Sequence, residues 1–242
     1  MLATLTALSL SMTPTLEDYE LPEDRSAVVL SLDYQGGFAP PRRAQGPYVE
    51  VLADGTLRVP DRTGAGRDGK ELLTPEELQE LLRFAIETHR IVEFDAERAR
   101  EELSRAGDLP QIADAPDTVV ALALPRHRVV ARFNGLEFFA TEAPQVTDLA
   151  RLYAVSQKLR WWMHVVQAGG RERVRELAKI ASEHLARAAP EAAPLAIDEL
   201  SSVLVHEGSS TVYFERNAQG VRTRVVLEVP AQGEVEVSVQ IE

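Results

Sequence analysis

The order of strand-like and helix-like segments constrains the fold of this chain more than any other feature of its sequence. Short apolar runs come in pairs separated by turn residues, and a helix does not follow each of them in turn. Parallel sheets need a regular strand–helix–strand alternation, whereas paired strands followed by runs of helices are typical of α+β proteins. We therefore predict an α+β fold in which antiparallel β-hairpins pack against helices.

Turn residues separate the strands that we predict in the first half of the chain. Asp54-Gly55 is a strong hairpin signal. A second hairpin has its tip at residues 125–127. The glycine-rich stretch 61–72 is predicted to be a loop. The predicted strands cover residues 27–32, 48–52, 56–59, 118–124 and 128–133.

Capping residues and apolar spacing predict the helices. Thr74 is a preferred N-cap, a proline follows it, and Glu77 completes a capping box. Apolar residues at helical spacing extend this helix to about residue 89. Three further helices are predicted at residues 96–105, 146–167 and 171–188. A pair of glycines separates the last two, which we predict to form a central αα-hairpin.

The C-terminal tail is predicted to be a three-stranded meander. Its strands cover residues 211–214, 222–229 and 234–241, and a short helical turn at Asp198, Glu199 and Leu200 precedes them. In the last strand valines alternate with polar residues, which is typical of an antiparallel sheet with one buried face. We expect three regions: an N-terminal segment at 1–24, an α+β domain at 25–190, and the meander at 195–242, packed on the main body.

The N-terminal segment itself has two parts. Residues 1–10 are apolar, and either a signal-peptide remnant or an arm that docks on the body fits them. The acidic residues that follow, from Glu17 to Asp24, are predicted to be a linker.

The predicted domain opens with a recognisable order of motifs: strand 27–32, Pro47-Tyr48 at the start of the next strand, the Asp54-Gly55 turn, and the helix start at Leu73 to Leu78. Over residues 25–95 this order resembles a family of uncharacterised bacterial α+β domains. The resemblance implies a ββα plan. It implies no activity and supplies no site residues.

Charge and composition exclude several classes of function. The chain has 26 basic and 38 acidic residues and a net charge of -12, which argues against general nucleic-acid binding. The absence of cysteine excludes thiol nucleophiles and thiolate metal sites. No apolar run approaches the roughly 18 residues of a membrane span. We expect a soluble chain, cytoplasmic or exported, and not an integral membrane protein.

The patterns that resemble catalytic or cofactor motifs lack the context that the chemistry needs. Gly64, Gly66 and Gly69 match the spacing of a dinucleotide fingerprint, but the next helix begins five residues too late to hold a pyrophosphate. His164 and His184 lie on consecutive predicted helices without a third ligand at a meaningful spacing. Glu93 and Asp95 are paired acids at a helix exit, where solvated carboxylates are common. We predict no catalytic residue, no metal and no cofactor.

A basic, tryptophan-containing stretch is the best candidate for a binding surface. Residues 151–190 hold eight basic and three acidic side chains, and both tryptophans of the chain stand there side by side. Adjacent helical residues point about 100° apart, so at most one tryptophan faces the core fully. The other, with arginines around it, has the composition of an interface anchor. The candidate partner-binding residues are Trp161, Trp162, Arg160, Arg171 and Arg175. The alternative is core tryptophans with arginines on solvated helix faces.

Three functions remain open from the sequence. The first is a non-enzymatic bacterial protein that binds a protein partner or acts as a scaffold. The second is a hydrolase whose site is not visible as a motif. The third is an inhibitor or immunity-type protein, since net acidity suits the masking of a basic target.

Overall fold

The structure is a computed structural model that describes residues 18–37, 46–61, 68–107, 110, 112, 114–206, 209–218 and 220–242. The described residues form helices and two antiparallel sheets, which confirms the predicted α+β class. None of the described helices is both long enough and apolar enough to span a bilayer.

The first sheet has six antiparallel strands in the order β4-β3-β2-β1-β5-β6. Its central strand, β1, is almost entirely buried, because it pairs with β2 on one side and with β5 on the other. Gly55, with a φ of +86°, forms the predicted turn between β2 and β3. The strands are Val28–Gln35 (β1), Val49–Leu52 (β2), Thr56–Val59 (β3), Gly69–Leu72 (β4), Asp117–Ala123 (β5) and Arg128–Asn134 (β6).

The described residues form five α-helices, and the sequence predicted all of them except the third. The predicted capping box of α1 is present: the Thr74 amide donates to the Glu77 carboxylate at 2.8 Å, and the Glu77 amide donates to the Thr74 hydroxyl at 3.2 Å. After α1 the chain continues in a π-helical turn, Phe84–Thr88, and a 3-10 turn, Ile91–Glu93. The helices are Pro75–Arg83 (α1), Ala96–Ala106 (α2), Leu136–Glu142 (α3), Thr147–Gln167 (α4) and Arg171–Ala188 (α5).

The second sheet has four antiparallel strands in the order β10-β9-β8-β7. The three predicted strands are therefore joined by a fourth, which follows the predicted helical turn, now a 3-10 turn at Ile197–Glu199. The sheet buries one face, with Val203, Val212, Phe214, Val225 and Leu227 at its centre. The strands are Leu200–His206 (β7), Ser209–Ala218 (β8), Val221–Val229 (β9) and Glu236–Ile241 (β10).

Helix α4 is the central element of the molecule. It contacts the first five strands of the six-stranded sheet on one side and β7 of the four-stranded sheet on another, and it also meets α2, α3 and α5. A helix enclosed in this way is apolar on most of its surface, and α4 accordingly buries residues all round, from Leu149 to Val166. Helix α5 packs on β9 and β10. One continuous core thus runs from the first sheet through α4 and α5 into the second.

Helix α4 also covers part of an exposed sheet edge. Strand β7 lies at the edge of its sheet, and the Val203 amide points away from β8 and donates to Nδ1 of His164 at 3.3 Å. The covering stops short of the end of the strand, where Leu204 and Val205 are exposed.

The N-terminal acidic stretch is docked where the structure describes it. The buried side-chain amide of Gln79 accepts from the Tyr19 main-chain amide at 2.7 Å and donates to the Tyr19 carbonyl at 3.0 Å. Asp18 pairs with Arg83, and Glu20 pairs with Arg126. Residues 18–20 are thus held on the body and do not act as a linker, whereas the apolar residues 1–10 lie outside the described part of the chain.

Candidate functional site

The predicted basic face is largely committed to contacts within the molecule. Arg171, at the start of α5, donates to the carboxylate of Glu71 at 3.3 Å, to the carboxylate of Glu77 and to the carbonyl of Leu72 at 2.7 Å. Its guanidinium also lies 5.6 Å from the ring centroid of Trp162. Arg171 therefore ties α5 to β4 and α1 and has little surface to offer a partner.

The two tryptophans differ in burial, as the geometry of a helix requires of adjacent residues. Trp162 is buried, with 7% of its surface exposed. Trp161 is half-buried, and the ammonium of Lys158 lies 4.9 Å from its ring centroid. Its indole nitrogen is buried and has no hydrogen-bond partner in the described part of the chain.

The other two predicted arginines differ in their surroundings. Arg160 pairs with Glu137 of α3 at 3.1 Å. Arg175 lies on the exposed face of α5, paired with Glu172 one turn earlier. The structure thus brings Trp162 and Arg171 together in the interior and leaves Arg175 at the surface. The binding of a partner by these five residues stays a prediction.

The residues that resembled metal or catalytic motifs take structural positions. Glu93 pairs with Arg90 at 2.7 Å, and Asp95 is the N-cap of α2. Gly69 begins β4, while residues 62–67 of the glycine-rich stretch lie outside the described residues. His164 is buried in contact with β7. Over the described ranges no group of three or more histidines or acids could hold a metal ion.

A cleft beside α3, here called the α3 cleft, adjoins the predicted residue Arg160 through Glu137, which belongs to its lining. Its volume is about 410 Å³. The apolar wall is formed by Tyr34, Ile112, Ala115, Pro116, Leu136 and Phe138. Pockets of this size and apolarity hold a small ligand or one anchoring side chain of a partner.

Two glutamates are the charged residues among the described lining of this cleft. Glu137 pairs with Arg160, which stands behind the wall, and Glu142 forms no ion pair with a described residue. The rim is therefore acidic, and the carboxylate of Glu142 is not balanced by a cation of the described ranges.

The wall behind the α3 cleft is held by a polar network. Burial raises the pKa of Tyr34, and the nearby Arg160 guanidinium offsets only part of that rise. Burial alone would lower the pKa of Arg160, but Glu137 and Tyr34 raise it above its ordinary value. The phenol and the guanidinium consequently keep their protons at neutral pH, and the charge of Arg160 is balanced by the carboxylate of Glu137.

Two glycines, of which Gly135 lines the α3 cleft, pack closely against the loop that precedes β5. Gly135, with a φ of +62°, ends β6 and precedes α3 directly. A side chain there would press on Ile112, Ala115 and Phe139 at 3.3–3.4 Å. Gly37, at the end of β1, lies so close to Asp114 that a Cβ would come within 2.7 Å of its carbonyl oxygen. These close approaches fix the loop before β5 against the start of α3.

A second cleft lies between α2 and the end of β6, and we call it the α2 cleft. Its volume is about 330 Å³. Its described lining comprises Arg100, Leu103, Ser104, Gly107, Phe133, Asn134 and Phe139. No acidic side chain belongs to this set.

Comparisons with known proteins returned no matching family model, no matching curated protein and no matching solved structure. The resemblance of residues 25–95 to uncharacterised bacterial α+β domains therefore stays a prediction.

Sequence reasoning missed both clefts because it missed α3. One signal was available: Asn134-Gly135 is a turn dipeptide, and the Phe138-Phe139 pair that follows is apolar. A seven-residue helix is too short to show a clear helical period, so its face could not be assigned from spacing.

Proposed function

We propose that this protein binds a protein partner and that the α3 cleft receives an apolar side chain of that partner. The observation that carries the proposal is an apolar concavity of about 410 Å³ with an acidic rim. Interface anchors are typically aromatic or large aliphatic side chains that enter such pockets.

The acidic rim indicates the charge of the partner. Glu142 has no described cation beside it, and the whole chain carries a net charge of -12. Long-range attraction and the local rim both favour a partner that is basic around its apolar anchor. This preference also suits an inhibitor or immunity-type protein that masks a basic surface, which is the second function we propose.

Binding of defined peptides tests the proposal. Ten-residue peptides with one central phenylalanine flanked by lysine, serine or glutamate are titrated with the protein, and fluorescence anisotropy measures the dissociation constants. We expect the lysine-flanked peptide to bind most tightly and the glutamate-flanked peptide least tightly. Thr141→Trp, which fills the cleft from an exposed position on α3, should abolish binding.

Matched variants separate a local effect from a general one. Glu142→Lys and Glu183→Lys change the net charge equally, but Glu183 lies on α5, away from the α3 cleft. Glu142→Lys should raise the dissociation constant of the lysine-flanked peptide about fivefold, as expected for the loss of an exposed charge pair. Glu183→Lys should have little effect on it. The proposal is wrong if no peptide binds at millimolar concentration, or if Thr141→Trp leaves the affinity unchanged.

A further inference from the structure

The α2 cleft combines an aromatic interior with a cation that has no anionic partner among the residues that the structure describes. We infer that it binds a small apolar carboxylate. The inference is independent of the α3 cleft, because it rests on other residues and on a ligand of opposite charge.

The interior of the α2 cleft is built from rings that are fixed in place. Phe133 is buried on β6, and Phe139 of α3 meets it edge to face, with ring centroids 6.1 Å apart and planes at 87°. Leu103 of α2 adds an aliphatic side chain. The volume of about 330 Å³ lies near the lower end of the range of roughly 300–1,000 Å³ for ligand pockets, which favours a ligand with one ring or one short chain.

Arg100 supplies the charge at this cleft. Its guanidinium carbon lies 5.8 Å from the centroid of the Phe133 ring, so the cation is placed over the aromatic interior. It forms no ion pair with any residue that the structure describes. Most other arginines of the described ranges, including Arg98 and Arg105 on the same helix, are paired with a carboxylate.

The remaining polar groups of the cleft already have partners. The Asn134 side-chain amide donates to the Ala115 carbonyl at 2.6 Å and to the Asp117 carboxylate at 3.1 Å. The Ser104 hydroxyl donates to the Glu101 carbonyl at 2.8 Å. The unused donors are therefore those of Arg100, and a guanidinium binds a carboxylate through two parallel hydrogen bonds. A ligand would place its ring among the phenylalanines and its carboxylate at Arg100.

Two sources offer this chemistry: a free aromatic or aliphatic acid, and the C-terminal residue of a peptide. Both present an apolar group next to a carboxylate. The probes are therefore 3-phenylpropanoate with its neutral amide, and N-acetyl-Ala-Ala-Phe with its C-terminal amide. Calorimetry, supported by chemical-shift changes of residues at the cleft, measures each affinity for the full chain.

We expect each carboxylate to bind at least tenfold more tightly than its matched amide. Arg100→Gln should remove this difference, since it removes the charge and keeps most of the side-chain length. Arg105→Gln, at an exposed position of the same helix that does not line the cleft, is the control and should preserve it. Ser104→Phe, which fills the cleft from an exposed position, should prevent binding of all four probes.

The outcomes distinguish the sources and test the inference. Tighter binding of the peptide acid indicates a C-terminal residue as the ligand, and tighter binding of 3-phenylpropanoate indicates a free acid. Both results support a carboxylate site. Equal affinity for acid and amide, a preference that persists in Arg100→Gln, or no binding at millimolar concentration would overturn it.

Discussion

His164 lies on α4 with one ring nitrogen engaged and the other without a described partner. Nδ1 accepts from the Val203 amide at 3.3 Å and also lies 3.3 Å from Oε1 of Gln167, while Nε2 is buried and has no hydrogen-bond partner in the described part of the chain. Only 6% of the residue is exposed. Protonation would place a charge in the core, and burial accordingly lowers the pKa of His164 to about 4, although the hydrogen bond with Gln167 offsets part of this shift.

The free energy of unfolding should therefore fall in mild acid. The pKa is about 4 in the folded chain and about 6.5 when unfolded, so the unfolded chain binds more protons below pH 6.5. The stabilisation by neutral His164 is complete above pH 6.5 and is lost as the pH falls towards 4, by at most about 3 kcal/mol. Urea unfolding at pH 7.5, 5.5 and 4.5 measures it.

A matched histidine provides the control for this pH dependence. His164→Gln should reduce the pH dependence between pH 6.5 and 4, because glutamine at position 164 cannot be protonated. The remaining dependence comes from other groups such as His89, whose pKa burial also lowers. His184→Gln removes a half-buried histidine of α5 and should leave the dependence close to that of the parent chain. If the unfolding free energy of the parent and of His164→Gln changed equally with pH, the pH dependence could not be assigned to His164.

Arg171 is the second residue with a large expected effect. Its side chain is 19% exposed and balances Glu71 and Glu77 together. In Arg171→Ala both carboxylates lose a partner, and we expect a loss of about 2–4 kcal/mol of unfolding free energy, since breaking a partly buried ion pair leaves charge uncompensated. Chemical denaturation monitored by circular dichroism measures this loss.

Arg175→Ala is the natural comparison for Arg171→Ala. Arg175 is four residues further along α5, and its ion pair with Glu172 is exposed to solvent. Such pairs contribute at most about 1 kcal/mol, so this variant should unfold almost as the parent does. Equal destabilisation by the two substitutions would show that Arg171 does not link α5 to the first sheet.

At the scale of elements, strand β4 approaches α4 unusually closely. A Cβ on Gly69 would come within 2.3 Å of the Val166 side chain. Gly69→Ala should therefore push the strand from the helix and destabilise the chain by about 1–3 kcal/mol, as overpacking of a core does.

Removing the opposing side chain tests whether that contact is the cause. Val166→Ala opens the space that the new methyl group needs. The double variant should be less destabilised than the sum of the two single variants, by an interaction free energy of about 1 kcal/mol. Additive effects, measured by urea unfolding, would mean that Gly69→Ala acts through the backbone instead.

Elements with strong local signals could be predicted from the sequence. Helix α1 has a complete capping box, and the glycines between α4 and α5 adopt φ values of +99° and +95°. The bounds of α4 and α5 accordingly agree with prediction to within a residue. Tertiary pairing defines the others. Gly69–Leu72 has the sequence of a glycine-rich loop but forms β4 by pairing with β3. Strand β7 begins with Leu-Ser-Ser, and the two serines give it no apolar pattern from which a strand could be predicted.

The candidate site was less accessible to sequence reasoning than the fold. The arginines of α4 and α5 were visible as a basic stretch, but their partners Glu71, Glu77 and Glu137 are distant in the chain. Charge pairing of this kind depends on how helices cross sheets. Local composition consequently predicted a basic binding surface, whereas in the structure several of these arginines form ion pairs within the molecule.

At the scale of the whole molecule, the two sheets share one core. Apolar residues of both sheets belong to a single buried cluster that α4 and α5 connect. We therefore expect residues 25–190 and 195–242 to unfold together in one transition. Tryptophan fluorescence reports on α4, and hydrogen exchange of β8 and β9 reports on the second sheet. Separate midpoints for the two probes would show that the regions are independent folding units.

The contact between His164 and the Val203 amide also bears on polymerisation. An exposed strand edge offers its amides to strands of other molecules, and growth by such addition is how fibrils extend. Along the first half of β7 an incoming strand would meet the imidazole and the body of α4 in place of an available donor. The central helix thus limits sheet-to-sheet growth at this edge, and loss of the imidazole would remove part of that protection.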